Sequence, residues 1–148
     1  MIKSSLMTAM FTFAILATGC QTNQSSECCS ASDPNAPARF FEMRTYYTHP
    51  GKLEALNARF RDHTNKIFVK HGMELVGYWT PTEEKDGKSN TLVYILGYPS
   101  KAAREASWKA FFADPDWKAA YAASTKDGKL VQKVESVYLT PTDYSPIK

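Results

Sequence analysis

Residues 39–48 (RFFEMRTYYT) alternate as a strand requires, with Phe41, Met43, Thr45 and Tyr47 on one face and Phe40, Glu42, Arg44 and Tyr46 on the other. His49-Pro50-Gly51 ends the run, because proline lacks the N–H a ladder needs and glycine permits a turn. From residue 52 to 71 the period becomes helical. Leu53, Leu56, Phe60, Ile67 and His71 share a stripe, while Arg59, Arg61, Asp62, Asn65 and Lys66 fall largely off it. Gly72 stands where a C-terminal cap is expected, and His71 beside it suits the negative end of the helix dipole. Residues 73–80 and 91–98 read as two strands of an antiparallel hairpin around a polar loop.

Ser100 then opens a second helical region as its N-cap. Asp114-Pro115-Asp116 interrupts that region and restarts it: an aspartate as cap, proline at the first helical position and an acid in the first turn. Residues 130–140 form the last strand, with Val131, Val137 and Leu139 set against Leu130, Val134 and Tyr138, and residues 141–148 are a tail. The order β-α-β-β-α-β predicts an α+β, ferredoxin-like fold, an antiparallel four-stranded sheet with its helices on one face. Phe40, Tyr46, Trp79, Tyr94 and Tyr138 are expected to leave both sheet faces partly apolar. A bare apolar face of this size calls for a partner, most simply a second copy about a two-fold axis, so a homodimer through the open sheet face is expected.

The amino-terminal pattern is different in kind. Lys3 precedes an apolar run from Leu6 to Thr18, and Ala17-Thr18-Gly19 sets small residues before Cys20. This is the layout of a secretory signal peptide over residues 1–19, and the cysteine at the cut point resembles a bacterial lipobox. A spanning helix needs roughly 20 apolar residues, more than this run supplies. Cys20 is therefore the expected lipidation site, and the mature chain is expected to be a membrane-anchored lipoprotein of the bacterial cell envelope, outside the cytoplasm. Residues 20–38, rich in Ser, Asn, Gln, Pro and Ala without apolar period, read as a flexible linker, which leaves residues 39–148 as the domain.

Composition narrows the chemistry. A formal net charge of +3, with the basic residues scattered among acids, gives no footprint for nucleic acid. All 3 cysteines (Cys20, Cys28 and Cys29) precede residue 30, so the domain itself has no disulfide and no thiolate ligand. Cys28 and Cys29 are adjacent, which ordinary disulfide geometry does not suit. They read either as exposed thiols on the tether or as a link between chains. Aromatic residues make up 13% of the chain, so a core or a pocket must be built largely from rings.

Several segments resemble a known family. Phe41-Glu42-Met43-Arg44-Thr45-Tyr46 followed by Pro50-Gly51-Lys52-Leu53, the Gly77-Tyr78-Trp79 strand, Asp114-Pro115-Asp116-Trp117, and the ending from Val134-Glu135-Ser136 through Leu139-Thr140-Pro141-Thr142-Asp143-Tyr144-Ser145-Pro146 are similar to NIPSNAP domains. The resemblance spans about residues 39–146. It implies a dimeric α/β-barrel, a fold shared with small cofactor-free monooxygenases and EthD-like proteins. It implies no settled activity; animal members are linked to mitochondria and vesicle traffic.

Few residues offer chemistry. His63 and His71 lie on the first helix about 12 Å apart along its axis, too far to share a metal. His63 is the candidate base if it faces the cleft between helix and sheet, and otherwise a structural or partly exposed histidine. Arg44 is either an anion anchor in a pocket or the partner of Glu42 or Glu135. Arg44, Tyr46, His63, Trp79 and Tyr94 are the candidate lining of a pocket for a small hydrophobic ligand; the rings alternatively belong to core and interface. No glycine-rich phosphate loop, nucleophile elbow or metal cluster is visible, so no cofactor and no metal is expected. The leading expectation is a homodimeric binding or scaffold module. The rival is a cofactor-free monooxygenase or isomerase acting on a small aromatic or hydrophobic compound, and a haem-binding relative is a third option.

Overall fold

The computed structural model describes residues 39–148. The expected leader, Cys20, and the Cys28-Cys29 pair lie outside the described residues. Strand β1 (Phe40–Thr48) leads through a turn, in which Gly51 takes φ +71°, into a helical stretch made of α1 (Leu53–Arg59), a π turn (Phe60–Thr64) and α2 (Asn65–Lys70). Strands β2 (Glu74–Trp79) and β3 (Thr91–Tyr98), helices α3 (Lys101–Ala113) and α4 (Pro115–Ser124), and β4 (Val131–Leu139) follow. The sheet order is β2-β3-β1-β4 with every neighbour antiparallel, the ferredoxin-like arrangement expected. Among the described residues no helix is long and apolar enough to cross a membrane.

The caps act where the sequence places them. Ser100 Oγ accepts from the Ala103 N–H at 3.1 Å, and Asp114 Oδ1 accepts from the Asp116 N–H at 2.8 Å with Pro115 opening α4. Gly72 closes α2 at φ +74°, and the His71 N–H bonds the Ile67 and Phe68 carbonyls. The His71 ring does more than face a dipole. Its Nε2 meets Asp114 Oδ2 at 2.6 Å, so the end of α2 is tied to the junction of α3 and α4. The Asp114 carboxyl is held well below the usual carboxylate range, first by Lys70 and then by His71.

The helical stretch is not one regular helix. At the π turn an extra residue is accommodated in the backbone, and the Thr64 hydroxyl bonds the Arg59 carbonyl at 3.2 Å. Arg59, expected off the apolar stripe, ends α1 three residues after Leu56 and is instead buried with Phe60. The core lies between helices and sheet and is dominated by rings, with Phe60, Phe68, Tyr94, Tyr98, Trp108 and Phe111 packed with Leu56, Leu92 and Leu96.

The face assignment of the strand rings needs correction. Phe40, Tyr46, Tyr94 and Tyr138 all point toward the helices: Tyr46 packs on Phe60, Tyr94 on Phe68, and Tyr138 on Phe40 beneath Arg104. Trp79 alone of the five belongs to the opposite face, in register with Val93. There it folds back over Gly77, where an added Cβ would meet the indole at 2.5 Å. Val131 also changes side: the register shifts between Tyr47 and Thr48, and Val131 packs against the core.

The face without helices is apolar in part: Met43, Val93, Ile95, Val137 and Trp79 share it with Thr45, Tyr47, Lys133 and Glu135, and Trp79 is 52% and Val137 47% exposed. The tail covers one end. Pro141, Thr142, Ser145 and Ile147 lie over Phe41, Val76, Ile95 and Leu139, leaving an apolar groove of about 310 Å³. Phe41 is buried as a result, while the Met43–Val137 region stays open.

Candidate functional site

The inner face of β1 carries the most heavily paired charge in the described residues. Glu42 is wholly buried. Its carboxylate accepts from Arg44 Nη1 at 2.7 Å, from Arg104 Nε at 2.9 Å and Nη2 at 2.7 Å, and from the Trp108 indole at 2.9 Å. Arg104 and Trp108 stand one helical turn apart on α3, so one face of that helix delivers both donors. Burial alone would raise the Glu42 pKa. The Arg104 hydrogen bonds, the Arg44 charge and the Trp108 N–H outweigh it and bring the group to about 2.

Arg44 lies over the Trp108 ring at 4.5 Å and the Tyr46 ring at 5.5 Å. Burial works against its charge, but Tyr46, Tyr94 and Glu42 more than compensate, so it stays a fixed cation. Its Nε and the Tyr94 hydroxyl are both buried without a hydrogen-bond partner in the described residues. Tyr94 is pushed well above an ordinary phenol, chiefly by burial, and Tyr78, stacked on it at 5.5 Å, moves the same way. These phenols are neutral at physiological pH. They can donate hydrogen bonds there but cannot serve as bases.

The five residues singled out in the sequence do not form one site. Arg44, Tyr46 and Tyr94 do converge, in the interior between sheet and helices. His63 is exposed and lines a different groove, of about 340 Å³, with Arg59, Asp62 and Ser124 between the π turn and α4. Trp79 is on the far side of the sheet. The pairing of Arg44 with Glu42 is the structural alternative anticipated for it; Glu135 instead takes the Tyr47 hydroxyl at 3.1 Å. Among the described residues no group of three His, Cys, Asp or Glu side chains could hold a metal ion. Arg104 and Arg59 are not singled out by the sequence reading, and the i, i+4 spacing of Arg104 and Trp108 was the available signal for the first.

Comparison with known proteins accords with this architecture. The NIPSNAP family model matches residues 41–146. Mouse Protein NipSnap homolog 3B is 31% identical over 102 residues, and human Protein NipSnap homolog 3A is 33% identical over 104 residues. Each match covers 69% of this chain, and the chain spans about 40% of the length of these relatives. Among solved structures, a NIPSNAP family protein of unknown function from Agrobacterium tumefaciens superposes with a TM-score of 0.65 at 28% identity, covering 76% of this chain and 96% of the other. An uncharacterised NIPSNAP domain protein from Burkholderia xenovorans gives 0.61 at 28% identity, covering 72% and 98%.

Proposed function

This chain belongs to the NIPSNAP family, and from that premise we propose that it is a homodimeric binding module held outside the cytoplasm by a lipid on Cys20. The observation that carries the reading is the apolar strip of Met43, Val93, Val137 and Trp79 on the sheet face away from the helices, beyond the end that the tail covers. Apolar surface of this kind is costly in water at roughly 25 cal/mol per Å². A second copy presenting the same strip satisfies it on both subunits at once.

The enzymatic alternative, a cofactor-free monooxygenase or isomerase, required His63 and Arg44 to converge on one cavity. Arg44 does not line the groove that carries His63. That convergence is absent, and binding is the better-supported role.

Sedimentation velocity of the domain at micromolar concentration tests the assembly. A dimer is expected, and a stable monomer across that range would remove the basis of the reading.

A further inference from the structure

Arg59 lacks the partner that the other interior arginine cluster enjoys. It is only 5% exposed, yet no carboxylate lies within ion-pair distance among the described residues. Its Nη1 donates to Ser124 Oγ at 3.2 Å, and its Nε is buried without a partner. The Trp117 and Tyr121 rings lie 5.2 and 5.5 Å from the guanidinium carbon, and they offset part of the lost hydration. Burial pulls the group's pKa downward. A buried cation with an idle donor is expensive to keep unless something supplies the missing acceptor.

The place for that acceptor is the groove that Arg59 lines between the π turn and α4. Its walls include Ala58, Ala120 and Ala123, small residues that leave a smooth apolar trough, and its polar lining is Arg59, Asp62, His63 and Ser124. Arg59, the last residue of α1, faces inward toward α4, and the exposed His63 of the π turn stays at the rim. We propose that this groove is a binding site for a small monocarboxylate, its carboxylate held by the Arg59 guanidinium and its short aliphatic body lying along the alanines.

A monoanion fits better than phosphate. One guanidinium supplies one full charge in a planar fork that matches a carboxylate, and Asp62 in the same groove opposes a second negative charge. This site lies in the helical layer and uses neither the open sheet face nor the Glu42–Arg44 cluster, so it stands or falls apart from the proposed assembly.

Titration of the purified full chain with butyrate, read by chemical shifts of the Trp117 indole N–H, tests the proposal. Butyrate is expected to saturate the shift. Butylamine should leave it unmoved, and inorganic phosphate should bind at least about 10-fold more weakly. Arg59→Lys should weaken butyrate binding by about 10-fold or more, since the charge survives but the fork does not. Ala123→Phe, at an exposed position of the groove, should fold normally and abolish binding by filling the trough, which keeps the test valid if the Arg59 variant does not fold. Undiminished butyrate binding in Ala123→Phe, phosphate binding as tight as butyrate, or no response to butyrate at all would each overturn the proposal.

Discussion

Trp108 on α3 donates its indole N–H to the Glu42 carboxylate on β1 across 2.9 Å, joining residues 66 positions apart in sequence. The same carboxylate binds Arg104 and Arg44, so the only acid at this point fixes the docking of α3 on the sheet and the pose of the inner arginine together. Arrangements of this kind are worth little against an apolar replacement but are costly to break from one side.

Glu42→Gln should therefore destabilise the domain by about 3–5 kcal/mol, because it leaves two arginines in a desolvated site without their anion. Urea denaturation followed by tryptophan fluorescence measures this directly. A loss below about 1 kcal/mol, the scale of an exposed ion pair, would mean that the cluster is far better hydrated than its burial indicates.

Acid should unfold the domain in a defined window. Glu42 titrates near 2 in the folded protein against an ordinary 4.5, and Asp114 is likewise held below its ordinary 3.8. Groups with depressed folded values contribute stability that is full above the ordinary carboxylate range and is lost as pH falls through the folded values. Stability should thus be flat from neutrality to about pH 5 and decline from there toward pH 2. In Glu42→Gln the decline should be shallower, which thermal midpoints across that range would detect.

Val137 and Val134 are both more than 40% exposed and lie on opposite faces of β4. Val137→Glu should weaken self-association at least about 30-fold by placing a charge within the shared strip. Val134→Glu, facing the helical side, should not. Sedimentation equilibrium on both variants, with circular dichroism as a check on folding, separates an interface effect from a general one. Equal behaviour of the two would count against the sheet face as the contact.

Cys20→Ser tests the anchor separately from the fold. In a bacterial host the parent chain should partition with membranes and incorporate labelled palmitate, whereas the variant should lose the label. An unlabelled parent chain would end the lipoprotein reading while leaving the domain's properties intact.

The sheet and the caps were legible in the sequence because each rests on local chemistry. Alternation sets the strands, and Ser100, Asp114 and Gly72 carry their cap functions within a few residues of themselves. What the sequence hid was longer in range. A glutamate in mid-strand resembles an outward-facing residue until α3 brings Arg104 and Trp108 to it. Arg59 reads as a solvated position beside the stripe, and its burial depends on Trp117 and Tyr121 of α4, more than 55 residues away in sequence. The rings of β1, β3 and β4 were assigned to both faces because aromatic side chains suit either a core or an interface; only the register shows that Phe40, Tyr46, Tyr94 and Tyr138 share one side.

The position of the tail bears on how the molecule should be handled. Residues through Ile147 lie against the Phe41 end of the sheet, so a purification handle fused after Lys148 would start beside the strip that two subunits need. Such a handle could prop the subunits apart or stick them together by its own contacts. Material tagged at the amino-terminal side of Arg39, or stripped of its tag by protease, is the preparation whose measured mass reflects the native surfaces.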